Sequence, residues 1–157
     1  MSEFPFPIQE NKDQQPIIGF HFEDVSLASF KAALFSTWIE KVIKYHQCEL
    51  EQVQYIFCSD DYLHRMNVAY LNHDTLTDII TFPYQAPPII SGDIFISIDR
   101  VKENALERDL PFEEELSRVI IHGVLHLCGF GDKSEEEAVE MQRLEDAALA
   151  FATRPTT

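Results

Sequence analysis

The apolar positions of the chain change period several times, and each change marks an element. Ile17 to Phe22 (IIGFHF) is short, apolar and partly β-branched, which reads as a strand. In Phe30 to Tyr45 the stripe Phe30, Leu34, Trp38 and Val42 recurs at helical spacing, so an amphipathic helix is expected, with Trp38 in the core. Asp24 or Ser26 is placed to cap it. Leu50 to Cys58 alternates and reads as a strand. Ser59-Asp60-Asp61 then caps a helix to about Leu71. The β-branched run Asp78 to Phe82 predicts a buried strand, Pro87-Pro88 a turn, and Ile89 to Ile98 a further strand. Gly92 within it marks a bulge or a close approach of backbone. Asp99 is the expected cap of a helix over roughly Arg100 to Arg108. Pro111 opens the next helix at the first turn, where proline is tolerated. Ser134 and Glu137 form the sequence signature of a capping box, opening a last helix to about Phe151. Residues 1–16 and 152–157 read as irregular tails of one domain spanning 1–157. Strands and helices mix without a regular βαβ rhythm. The expected fold class is α+β, with a single small mixed β-sheet packed by helices.

The helix after Pro111 carries the candidate chemistry. From Leu116 to Leu127 it is apolar nearly all round, as a buried helix is. Yet it holds His122 and His126, four residues apart, with Cβ atoms on one face about 5–6 Å apart. Two imidazoles so placed form a satisfied core pair, a solvated face, or two ligands of one metal ion. Gly129, just past the last apolar residue, is a left-handed helix terminator that turns the chain back toward Asp132. The constellation H-x3-H-x5-D offers three ligands with a fourth position left for water, the catalytic kind of zinc site. Two histidines and a carboxylate also make the non-haem Fe(II) set of oxygenases. A metalloprotease of the H-E-x-x-H kind needs a glutamate where this chain has Gly123, so peptide hydrolysis lacks its base. That glycine costs about 1 kcal/mol in mid-helix, which implies that something needs the space; a substrate or a neighbouring backbone beside the metal is the simplest candidate.

Composition changes the picture in two ways. Twelve basic and 27 acidic residues give a net charge of −15 over 157 residues, which argues against a strongly basic nucleic-acid surface. The surplus lies in the runs Glu113 to Glu115, Glu135 to Glu137 and Glu145-Asp146, which read as solvated acidic surface. Cys48, Cys58 and Cys128 are too few and too widely spaced for a disulfide framework, so reduced thiols and a cytoplasmic location are expected. Cys128 reads as core rather than ligand. The first residues lack the apolar segment of a signal peptide, and no apolar run approaches the ~20 residues of a membrane span.

Three blocks together resemble one family. His122-Gly-Val-Leu-His126-Leu-Cys-Gly-Phe-Gly-Asp132 is similar to the H-G-x-L-H-L-x-G-Y-D-H motif of the YbeY endoribonucleases. Asn67 to Tyr70 with Thr77 to Pro83 resembles that family's N-x-x-Y-R…P-T-[DN]-V-L-S-F-P block, and Gly92 to Ser97 its G-D-I-x-I-S strand. The resemblance spans roughly residues 50 to 148. It implies a zincin-like site on a central helix, one Zn2+ per chain on His122, His126 and Asp132, and an endoribonuclease of ribosomal RNA maturation. It further implies 16S rRNA 3′ end processing, ribosome quality control, and ribosomal RNA and ribosomal subunit proteins as partners. Asp132 stands in place of a third histidine, and Leu71 in place of an arginine. Arg118, one turn before His122, is the candidate replacement cation, with an ion pair to Glu114 or Glu115 as the alternative. Asp93, Asp78 and Thr77 are candidates to line the site or orient its ligands, Asp93 as a catalytic carboxylate. The rival reading is a ribosome-assembly factor whose metal is structural.

Overall fold

The computed structural model describes residues 17–72, 77–151 and 155. The expected tails 1–16 and 152–157 fall outside it, save Pro155. The elements are β1 (Ile18–Phe22), α1 (Ala32–Tyr45), β2 (Glu49–Cys58), α2 (Asp60–Leu71), β3 (Ile79–Pro83), β4 (Ile89–Ser97), α3 (Ile98–Arg108), α4 (Phe112–Leu127) and α5 (Glu135–Leu149). One four-stranded sheet runs in the order β1-β2-β4-β3. β1 and β4 pair parallel with β2, and β3 pairs antiparallel with β4, so the sheet is mixed and the fold α+β, as expected.

Each face of the sheet has its own cover. Ile56, Ile80 and Phe95 meet Tyr62, Leu63 and Met66 of α2 on one side. On the other, Val53, Tyr55, Ile94 and Ile96 meet α1 and α4 in the main core, with Met141, Leu144 and Ala148 of α5 closing it. Beyond the alternating start of β2, the stretches Tyr55 to Cys58 of β2 and Ile94 to Ile96 of β4 are apolar without a break, as strands buried on both faces require. Tyr55 of β2 donates its hydroxyl to the Ile120 carbonyl of α4 at 2.8 Å, a buried bond between sheet and helix.

Several expectations shift by a residue or a rotation. α1 begins at Ala32, not Phe30, and its buried face is Phe35, Trp38, Ile39, Val42 and Ile43, while Leu34 is half exposed. The wider stripe faces both the sheet and α5: Trp38 Nε1 donates to the Ala148 carbonyl at 2.9 Å. Phe30 still joins the core, its ring stacked 4.8 Å from Phe35. α3 is capped by Ser97, whose hydroxyl accepts from the Arg100 N–H, rather than by Asp99. Asp99 sits in the first turn and accepts from the Asp60 N–H of α2. Of the two readings of Gly92, close approach holds. A Cβ there would meet the Phe82 carbonyl at 2.7 Å, and the register shift of the β2–β4 pair lies at Leu50/Gln52 instead.

Replacing Tyr55 by Phe removes one buried hydrogen bond at nearly constant volume. We expect a loss of about 1 kcal/mol, read as a fall of roughly 2–4 °C in Tm. An unchanged Tm in thermal unfolding would show that the bond to Ile120 adds nothing net.

Candidate metal centre

The site is built on a face of α4 beside the one that packs on the sheet. The adjacent face lies flat on β4 and β3, and Gly123 is why it can. A Cβ at Gly123 would stand 2.9 Å from Ile94 Cγ2 and 3.0 Å from Ile79 Cδ1. The space expected for a substrate or a neighbouring backbone is therefore taken by sheet side chains. His122 and His126 stand on the neighbouring face of the helix, about 100° and 60° round from Gly123, with rings 4.5 Å apart and nearly perpendicular.

The helix ends in a Schellman turn. Gly129 adopts φ +104°, its N–H donates to the His126 carbonyl at 2.9 Å, and the Phe130 N–H donates to the Leu125 carbonyl at 3.1 Å. The turn brings Asp132 back over the histidines. Its Oδ2 lies 3.3 Å from His122 Nε2 and 3.5 Å from His126 Nε2. Donors about 2.0–2.1 Å from a tetrahedral zinc stand roughly 3.3 Å from one another. The three ligand atoms all lie within 4.8 Å of one another, and among the described residues they are the group that meets this test. Two nitrogens and one carboxylate oxygen suit zinc. The residues fit the ion.

Glu145 stands behind His122. Its Oε2 lies 2.6 Å from His122 Nδ1, which leaves Nε2 facing Asp132. A carboxylate behind a ligating imidazole fixes its tautomer and ring orientation. Burial pushes the His122 imidazole down, but Glu145, Asp132 and Asp78 together outweigh it and hold the group above its ordinary value. His126 goes the other way: burial and the neighbouring His122 lower it, against the pull of Asp132 and a hydrogen bond to the Phe130 backbone. Glu145 is only 7 % exposed. The sequence reading of Glu145-Asp146 as solvated surface is thus wrong for Glu145. The signal was present, since Glu145 follows Met141 and Leu144 on the buried stripe of α5. Glu115, in another acidic run, is buried as well and pairs with Arg108 at 3.4 Å.

The other candidates divide. Arg118 lies beside His122, and its acidic partners come from α5, not from its own helix: Nη1 reaches Glu145 at 2.9 Å and Nη2 reaches Asp146 at 2.7 Å. Asp78 joins the site. Together with Arg108, Glu115, Arg118, Val119, His122, Asp132 and Glu145 it lines a cavity of about 220 Å3. Burial pushes its carboxyl up, while His122 and Arg108 pull it down. Thr77 makes a local bond, its hydroxyl donating to the Ile79 carbonyl at 3.2 Å. Asp93 is not brought to the histidines. Its neighbour Ile94 meets α4 and Phe95 meets the α2 side, so strand alternation turns Asp93 to the face away from the metal ligands. There it is 2 % exposed and accepts from the Tyr84 hydroxyl at 2.8 Å. Cys128 caps α4 as a free, partly buried thiol outside the donor group.

The family model described as Endoribonuclease YbeY matches residues 20–152. The chain belongs to the YbeY family. Among relatives bearing the name Endoribonuclease YbeY, that of Flavobacterium johnsoniae is 48 % identical over 136 residues, covering 86 % of this chain and 96 % of the relative. That of Porphyromonas gingivalis is 42 % identical over 134 residues, covering 85 % of this chain and 89 % of the relative. A solution structure of TM1509 from Thermotoga maritima is similar in fold, with a TM-score of 0.60 at 28 % identity over 84 % of this chain and 89 % of that one. No helix among the described residues is long and apolar enough to cross a membrane. Within this YbeY family chain the donor group closes with Asp132.

Glu145→Gln keeps the size of the side chain and removes its charge. Metal affinity, measured against a competing chromophoric chelator, is expected to fall about 10–100-fold. Unchanged affinity would mean that Glu145 serves only to neutralise Arg118.

Proposed function

We propose that this chain is a zinc-dependent endoribonuclease of ribosomal RNA maturation. The observation that carries the reading is the His122–His126–Asp132 donor group, backed by Glu145, in a chain of the YbeY family. The relatives' shared name supports nuclease activity. When bound, Zn2+ supplies Lewis acidity toward a phosphoryl oxygen and a water whose pKa falls to about 7.

The chain's own residues do the remaining work. His122 and His126 present their Nε2 atoms and Asp132 its Oδ2, with no protein ligand beyond these three in the group. Glu145 orients the His122 ring, and Arg118 holds Glu145 against it. The cavity beside His122 and Asp132, about 220 Å3, admits a phosphodiester group. No side chain at Gly123 serves as base, and none is needed where the water is already acidified. Ribosomal RNA, with the 16S 3′ end as the expected cut, and ribosomal subunit proteins in the cytoplasm complete the proposal. The net charge of −15 favours a second reading, an assembly factor whose metal is structural.

Cleavage of a single-stranded ribosomal RNA fragment by zinc-loaded protein decides between them. The wild type is expected to cut, and identically purified His126→Ala to lose at least about 100-fold in rate, as befits removal of a ligand from a metal-dependent site. Equal activity in both would sink the nuclease reading as contamination. A silent wild type with zinc confirmed bound would transfer the case to the assembly factor.

A further inference from the structure

Two arginines line the cavity beside the metal ligands, and their surroundings differ. Arg118 is enclosed on α4, its side chain 17 % exposed, with both terminal nitrogens committed to Glu145 and Asp146 at 2.9 and 2.7 Å. Those contacts make it a positioning residue for Glu145. Arg108 stands in the last turn of α3, its side chain 56 % exposed. Its one recorded ion pair among the described residues is a long 3.4 Å contact from Nη1 to Glu115. A guanidinium has five N–H donors in a planar fork, so most of its capacity remains open. Arg108 also lines the adjoining cavity of about 420 Å3, together with Leu110, Ala138 and Gln142, between the end of α3 and the face of α5.

We infer that Arg108 is the residue that binds a phosphate of the single-stranded RNA substrate, next to the scissile group held at His122 and Asp132. This rests on the reading of the site as one for phosphodiesters. It moves the role of phosphate-facing cation from Arg118, where the sequence put it, to the arginine with donors to spare. The cavity carries Asp78, Glu115, Asp132 and Glu145, so an anionic strand needs a positive group there besides the metal. Arg108, on the solvent side, supplies it through a fork suited to two phosphoryl oxygens. Glu115, buried beneath, accepts from one prong of that fork, Nη1, which leaves Nη2 and Nε for the phosphate.

The test is binding of a fluorescent single-stranded RNA to the zinc-loaded full-length chain by anisotropy, over a salt series, with cleavage read on a gel from the same samples. Arg108→Gln is expected to lower affinity about tenfold and to flatten log K against log salt by about 0.7, the loss of one phosphate contact on a single strand. Arg108→Lys keeps the slope and recovers part of the affinity, since charge remains without the fork. Arg143→Gln, an equal charge change on an exposed part of α5 paired to Glu140, leaves both unchanged. Arg108→Gln also strands Glu115, so the double variant Arg108→Gln/Glu115→Gln must show the same loss. Affinity and slope equal to those of Arg143→Gln overturn the inference, as does a wild type that binds no RNA. RNA held through Arg108 but never cut leaves it standing and overturns the nuclease reading; RNA cut equally well by wild type and Arg108→Gln, with binding unchanged, does the reverse.

Discussion

The contact of α4 with the sheet at Gly123 is the constraint on which the site depends. Without a side chain there, the helix settles onto Ile94 and Ile79, and the ligands on the neighbouring face are held by a rigid, buried element. A ligand pair on an exposed helix would lose rotamer freedom on meeting a metal; here the backbone beneath it is already fixed by packing. The left-handed turn at Gly129 adds the third donor at the helix end, where the direction of the chain is set by two backbone hydrogen bonds rather than by loop chance. Sheet packing, helix and turn therefore act as one device for placing two nitrogens and an oxygen.

The charges around that device are balanced locally although the chain is strongly acidic. Each buried carboxylate has an assigned partner: Glu145 has His122 and Arg118, and Glu115 has Arg108. A buried carboxylate without such a partner would be driven to protonate. Glu115 and Asp78 both show part of that effect: burial pushes each up, and Arg108 pulls each only partly back, although Asp78 also accepts from the Asn104 amide at 3.2 Å. The acidic count of the whole sequence thus says little about the potential inside the cavity, which depends on which few groups face it.

Much of this was legible in the sequence. The helical stripe, the i, i+4 histidines, Gly129 and the Ser134–Glu137 box are local signals, and local signals survive folding. What failed needed tertiary knowledge. Leu34 looked buried because a stripe of four positions was read where the helix buries a wider face against both the sheet and α5. Asp93 sits in β4, which is buried on both faces and so has no polar alternation to tell one side from the other. Glu145 was hidden in an acidic run; only the docking of α5 on α4 turns it from surface charge into the support of a ligand.

The bond from Trp38 to the Ala148 carbonyl acquires a second meaning in this light. α5 is pinned at its start by the capping box at Ser134 and at its end by an indole from α1, 110 residues away in sequence. A helix free at either end could creep by one residue, and each residue of creep turns a side chain by about 100°. Glu145 would then swing off the imidazole altogether. Trp38, far from any metal ligand in the chain, works as an index pin: it sets the angular phase of a helix, and through that phase the direction in which His122 points.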